Sequence, residues 1–254
     1  MKVLVTGAAG EVAPGIIRTL CRHYDLRLTD LRRSEAFPEA EWQEGSILDE
    51  AFLERLTEGV DAVVHTAVVR KAPGREFTTG EFFDVNVKGL YLLLEKAEAA
   101  GVKVLVHIGS TAPVIGHWFE GRDITVESPL TTRGRYSLTK ALQEVICEHM
   151  SRNSDMRFVV LRPWVPCDRL ERTGGQGGEA PRDYSPGLID TEDLGEACRL
   201  AIENGDLGKY EVFHTVATRE ARARFDFDRT RDVLGFTPSE DFETLRGRDA
   251  LSSR

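Results

Sequence analysis

Cysteine is scarce and scattered in this chain. The 254 residues include four, Cys21, Cys147, Cys167 and Cys198, with no Cys-x-x-Cys pair and no histidine at metal-ligand spacing. A disulfide framework and a bound metal are therefore not expected, and reduced thiols in a cytoplasmic protein are. Long apolar runs are missing too: none approaches membrane-spanning length. The opening Met-Lys-Val-Leu-Val-Thr-Gly meets a glycine too soon for a signal peptide. Positive charge is also short, at a net −9, which argues against a broad nucleic-acid face. Local basic clusters could still receive a small anion. There is no internal repeat, and the one low-complexity stretch is Thr173-Gly-Gly-Gln-Gly-Gly.

What is present alternates. Short runs expected as strands (residues 2–6, 25–29, 61–65, 103–108 and 157–161, with a weaker one at 41–45) are separated by stretches with helical apolar spacing (11–22, 49–56, 80–100 and 135–151). That order predicts an α/β fold, a doubly wound parallel sheet covered on both faces. After Arg162 the pattern loosens around four prolines and the glycine-rich stretch, which reads as a mobile loop. Helices at 192–204 and 228–234 and a strand at 210–213 complete the chain. We expect residues 1–165 to form a nucleotide-binding domain carrying the reactive side chains. Residues 166–254 are expected as a small cap over the carboxyl edge of the sheet, partly interleaved with that domain.

The first strand runs into Gly7-Ala8-Ala9-Gly10-Glu11-Val12-Ala13. Gly7 permits a sharp turn and Gly10 a close backbone approach to pyrophosphate, while Glu11 and Val12 start a helix whose positive end faces that charge. Ala13 stands where a third glycine is usual, and it still allows close helix–strand packing. Asp30 lies 20 positions beyond Gly10, at the end of the second strand. Its carboxylate suits ribose hydroxyls and repels a 2′-phosphate, which favours NAD over NADP. Arg32 and Arg33 read as solvated loop charges. Ser46 and Ile47 are placed to contact adenine, with Ser46 or Asp49 also able to cap the next helix. Thr66, Ala67 and Val68 end the fourth strand with side chains small enough for backbone to line the cofactor. His65 just before them reads as a packed histidine.

The reactive residues come later. Tyr136 and Lys140 are i and i+4, hence on one helix face. An unperturbed phenol has a pKa of about 10, and a nearby ammonium would bring Tyr136 into range as a general base for a substrate hydroxyl. Thr111 lies 25 residues earlier, at the end of the fifth strand, where its hydroxyl would orient the substrate oxygen. A lone Tyr-x-x-x-Lys is common by chance. Beside the glycine turn it reads as a proton relay next to a dinucleotide.

In these residues the chain resembles the extended short-chain dehydrogenase/reductase superfamily, in its NAD-dependent epimerase/dehydratase group, over roughly residues 1–165. The resemblance implies a Rossmann-type fold, with Tyr136 as acid/base, Lys140 as its partner and holder of the nicotinamide ribose, and Thr111 as the hydroxyl aid. Asn86, in Asp-Val-Asn-Val-Lys-Gly, matches the family's helix asparagine. Arg162-Pro163 matches the Arg-Pro that helps wrap the nicotinamide, and Glu127-Ser-Pro matches the acidic-x-Pro segment before the tyrosine. Dehydratases of the group carry Thr-Asp-Glu at the hydroxyl site, whereas this chain reads Ser110-Thr111-Ala112. Dehydration is disfavoured accordingly.

The length and the Val233-Leu-Gly-Phe-Thr-Pro segment resemble the uronate dehydrogenase branch, which implies oxidation of a hydroxyl on a small sugar or sugar acid. Residues 173–178 depart from that branch. An acidic substrate needs a cation, and Arg70, Lys71, Arg75, Arg169, Arg172 and Arg182 lie in the loops expected at the carboxyl edge. Arg75 and Arg172, with Ser110 and Thr111, are the expected substrate contacts, although any one arginine reads equally as a solvated charge. A nucleotide-sugar 4-epimerase and a non-catalytic NAD-responsive binding protein are the rival readings. Family members often dimerise through the two long helices, so a homodimer or higher homo-oligomer is expected, with Leu90, Leu93 and Leu142 available for contact or for the core.

Overall fold

A computed structural model describes residues 1–70, 74, 76–170, 173–174, 178–179 and 184–245. The strands are β1 (Lys2–Thr6), β2 (Asp25–Asp30), β3 (Glu41–Glu44), β4 (Ala62–His65), β5 (Val104–Ile108), β6 (Arg157–Pro163), β7 (Val165–Asp168), β8 (Thr173–Gly174), β9 (Gly178–Glu179), β10 (Leu188–Asp190) and β11 (Tyr210–Thr215). The helices are α1 (Ala13–Leu20), α2 (Glu50–Thr57), α3 (Thr79–Phe83), α4 (Leu90–Ala99), α5 (Gly116–Phe119), α6 (Gly134–Ser151), α7 (Thr191–Glu203), α8 (Arg219–Arg222) and α9 (Phe227–Arg229).

Seven parallel strands form the main sheet in the order β11-β6-β5-β4-β1-β2-β3. This is a Rossmann-type doubly wound sheet. Because β1 has β2 on one side and β4 on the other, the winding reverses there, and a crevice opens beyond the carboxyl ends of these strands. Alternate residues feed two cores. Val3 and Val5 pack with Ile16, Ile17 and Leu20 of α1 and with α7, while Leu4 joins Leu53, Leu56, Leu90, Leu93 and Phe158 on the opposite face. The two covering helices α1 and α7 touch closely. A Cβ on Gly15 would lie 2.0 Å from Thr191 Oγ1, and one on Gly195 would lie 2.6 Å from Thr19 Cβ.

Four elements differ from the sequence expectation. The helix expected over 80–100 is continuous, but its middle, Asp84–Gly89, is π-helical between α3 and α4. The expected loop at 173–178 contributes β8 and β9, which extend β10-β7 into a second, four-stranded sheet; its residues 175–177 lie outside the described residues. The strand expected at 210–213 runs to Thr215 and is the seventh strand of the main sheet, parallel to β6. The helix expected at 228–234 begins as α9 and continues as the π-helical Thr230–Leu234.

Candidate active site

The glycine turn is built to let something approach. Gly7 has φ +70°, and a Cβ there would sit 2.6 Å from the Ala67 backbone, so the turn lies directly against the end of β4. At Gly10 the nearest atom to such a Cβ is the Gly7 carbonyl at 3.0 Å, and beyond it the space is open. Val12, at the N-cap of α1, supplies no side-chain hydrogen bond, and Pro14 follows in the first turn. The first amides of α1 are thus left for an outside acceptor, and with the helix dipole they suit an anion. These features fit a dinucleotide pyrophosphate.

Asp30 is braced at the tip of β2, where Oδ2 accepts from the Ala9 amide at 3.1 Å and Oδ1 from Leu31 at 2.7 Å. Ser46 Oγ accepts from the Leu48 amide at 3.2 Å, and the helix cap is Asp49, which accepts from Phe52. Ile47 is nearly buried and packs its side chain on Gly89 in the second core. Thr66 Oγ1 donates to the Thr6 carbonyl at 2.7 Å and to that of Gly7 at 3.2 Å, which ties β4 to the turn. Val68 continues this edge, half-buried.

His65 is a packed histidine, as expected. Its Nδ1 is hydrogen-bonded to Thr6 Oγ1 at 2.7 Å, and its ring stacks 5.5 Å from His107. Burial pushes its pKa down to about 3.

Helix α6 brings Tyr136 and Lys140 against the segment after β5. That segment is pinned from both sides. Ser137 Oγ donates to the Ala112 carbonyl at 2.9 Å and Lys140 Nζ to that of Ile108 at 2.8 Å. From the β6 side, the carbonyls of Leu161 and Pro163 accept from the Gly109 and Thr111 amides. Pro163 therefore positions Thr111 through its carbonyl. The Thr111 hydroxyl is wholly buried and has no partner among the described residues, whereas Ser110 lies within reach of Tyr136.

The electrostatics differ from the expectation that Lys140 lowers the Tyr136 pKa. Burial raises it, and the opposing pulls come from a hydrogen bond with Ser110 and the charge of Arg70. Lys140 is itself lowered to about 7, because burial outweighs the attraction of Glu144 and Cys147. Its ammonium is directed at a carbonyl, which limits what it offers the phenol in this state.

Asn86 sits in the π-helical segment and is fully buried. Its carboxamide accepts from the Val69 amide at 2.7 Å and donates to the Val69 carbonyl at 2.9 Å and to Thr139 Oγ1 at 3.0 Å. Gln143 Nε2 donates to the Asn86 carbonyl at 2.8 Å. The loop after β4 is thereby fastened to α6. Arg162 is buried in a pair with Glu144 at 2.6 Å, and its Nη1 also donates to the Val126 carbonyl at 3.2 Å.

Among the expected cations, Arg169 is committed to Asp190 and Glu240. Arg70 pairs with Glu11. Arg75 and Arg172, like Lys71 and Arg182, lie outside the described residues. Sequence reasoning passed over Gln143, which recurs with Tyr136, Lys140 and Cys147 at spacings of four, three and four. Such a polar series on a buried helix face is the signal that would have found it. Among the described residues, no group of three or more His, Cys, Asp or Glu is placed to hold a metal ion, and no helix is long and apolar enough to cross a membrane.

Residues 3–167 match the sequence model of the NAD dependent epimerase/dehydratase family. The chain belongs to this family. It is 32% identical to a uronate dehydrogenase of Pseudomonas syringae pv. tomato over 257 residues, covering 97% of this chain and 85% of that one. It is 30% identical to a UDP-glucose 4-epimerase of Lactobacillus helveticus over 242 residues, covering 92% and 70%. Several other curated relatives are spanned over only 41 to 53% of their own length. Among solved structures, a variant of uronate dehydrogenase from Agrobacterium tumefaciens complexed with NAD superposes with a TM-score of 0.80 at 20% identity, covering 97% of this chain and 88% of that one. At that identity the likeness is one of fold.

Proposed function

We propose that this family member is an NAD-dependent dehydrogenase that oxidises a hydroxyl of a small sugar or sugar acid, as a uronate dehydrogenase does. The observation that carries the reading is the placement of Tyr136 and Lys140 on one face of α6, with Tyr136 beside the Ser110 hydroxyl, at the carboxyl edge of a sheet whose glycine turn fits a dinucleotide. The alignment with a uronate dehydrogenase over 97% of the chain supports the substrate class.

Bound NAD supplies the hydride acceptor. The glycine turn with Glu11 and Val12 receives its pyrophosphate, Asp30 its adenosine ribose, Ser46 and Ile47 its adenine, and Thr66, Ala67, Val68 and Pro163 line its course. Tyr136 takes the proton of the substrate hydroxyl. Ser110 and Thr111 orient that hydroxyl, the unpartnered Thr111 Oγ1 having a hydrogen bond still to make. Lys140 would hold the nicotinamide ribose, and at a pKa of about 7 its amine can accept the proton that the phenol passes on. Ala112 leaves no carboxylate beside these hydroxyls for dehydration.

Purified protein given NAD and galacturonate or glucuronate is expected to generate NADH absorbance. Tyr136→Phe should abolish turnover while NAD binding persists. Silence across a panel of uronates and aldoses, with NAD bound, would sink the reading. The identity to a UDP-glucose 4-epimerase supports a second reading, which predicts interconversion of UDP-sugars without net NADH. We also propose a homodimer formed through the outer faces of α4 and α6, where Tyr91, Leu138 and Val145 are exposed. Leu90 and Leu93 are fully buried in the core and cannot serve there.

A further inference from the structure

Arg70 follows Val69, whose amide and carbonyl are both held by Asn86, so its backbone is fixed where the loop leaves β4. Its side chain turns back to Glu11 at the start of α1, and Nη2 pairs with Oε2. The pair thus links the two sides of the crevice between β1 and β4. A guanidinium carries five N–H donors in a planar fork. Among the described residues, no group other than Glu11 hydrogen-bonds to this one. Both side chains reach solvent, with 24% of Arg70 and 35% of Glu11 exposed, so the contact is open to exchange. The cation also lies within electrostatic range of Tyr136.

We propose that Arg70 is the receptor for the carboxylate of an acidic substrate, and that Glu11 holds its guanidinium until that substrate arrives. This rests on the dehydrogenase reading above and names the group that would select its substrate. A two-oxygen anion bound by charge-assisted hydrogen bonds describes a sugar carboxylate and a cofactor pyrophosphate alike. Three observations favour the carboxylate. The turn amides and the uncapped end of α1 already offer a place for a pyrophosphate. A carboxylate, that of Glu11, already pairs with this guanidinium through Nη2. The guanidinium, finally, lies close enough to the phenol to act on it. Exchange conserves charge at the fork, because one carboxylate takes the place of another there.

The test is steady-state kinetics of wild type, R70Q, R70K and E11Q with glucuronate and with glucose, its uncharged counterpart, at saturating NAD, together with NAD titration by calorimetry. R70Q is expected to raise the glucuronate KM roughly 10- to 100-fold, to leave the glucose KM unchanged and to hold the NAD dissociation constant within about twofold. R70K should recover part of the loss, and E11Q should lower the glucuronate KM. If R70Q weakens NAD binding and spares the glucuronate KM, the arginine serves the pyrophosphate and the proposal is overturned. Equal loss on glucuronate and glucose assigns it a structural role and overturns it too, as does a wild type that oxidises glucose but not glucuronate. If wild type turns over neither, the dehydrogenase reading falls and this proposal with it. If wild type oxidises glucuronate and R70Q does so with the same KM, this proposal alone fails.

Discussion

Tyr136 holds its proton against two opposed influences. Burial favours the neutral phenol, while Ser110 and Arg70 favour the phenolate. A base with a raised pKa gives a rate that climbs into the alkaline range, so kcat/KM should rise with pH above neutrality. Ser110→Ala removes one of the two lowering influences and should move that rising limb to higher pH. A limb that stays in place would show that Ser110 does not touch the titrating group. Lys140 gives a stability prediction. Its folded pKa, about 7, lies below the ordinary lysine value of 10.5, so between these the unfolded chain binds the extra proton and stability rises with pH. Below about 7 that contribution is absent, because the charge must be carried inside the fold. Lys140→Met removes the effect. The variant should therefore gain most over wild type in urea denaturation near pH 6, and the gap should narrow toward pH 10. The Tyr-x-x-x-Lys spacing was legible from sequence because helical periodicity is local. The direction of both pKa shifts was not, since it depends on burial by strands and loops distant in the chain.

At the scale of elements, the helix carrying Asn86 shows what periodicity reveals and what it hides. Apolar spacing marks residues 80–100 as helical, and the Thr78–Glu81 capping box starts the helix one turn's reach before Phe82. Nothing in that spacing announces the π-helical stretch Asp84–Gly89. π-Bulges cluster at functional sites, and this one sets the Asn86 carboxamide against Val69. Asn86→Leu would leave the Val69 amide, the Val69 carbonyl and Thr139 without this partner, and should lower the unfolding free energy by roughly 2–5 kcal/mol in denaturant titration. The strands rich in Val and Ile were readable because both their faces are buried. The two-residue strands β8 and β9 were not, because glycine-rich sequence carries no alternation and their pairing is fixed by β7. Deeper in the sheet, Arg162 and Glu144 form a pair with only 6% and 8% of their side chains exposed. Glu144→Gln strands a buried guanidinium and should cost about 3–5 kcal/mol, read as a lower urea midpoint with an unchanged slope.

At the scale of the whole molecule, three of the exposed apolar residues lie on the outer faces of α4 and α6. Leu138 and Val145 lie two turns apart on α6, and Tyr91 projects from α4. Val145→Glu with Leu138→Glu should convert a dimer to monomers in sedimentation velocity without loss of helical signal. An unchanged sedimentation coefficient in wild type and variant would remove this face as an interface. The sequence could name the two helices but not their outer faces, since leucines are spread around both and only the packed sheet decides which are covered. Arg162 carries a consequence for how the protein is made. Its partners are Glu144 on α6, the Val126 carbonyl and, at 3.4 Å, His214 on β11. Asp226, in turn, accepts from the Val126 amide and pairs with His214. A nascent chain that has reached residue 167 already contains every candidate catalytic side chain, yet it lacks the strand and the carboxylate that complete this buried network. Vectorial synthesis thus delivers the chemistry first and its scaffolding last, and the emerging polypeptide must wait for some sixty further residues before that network can close.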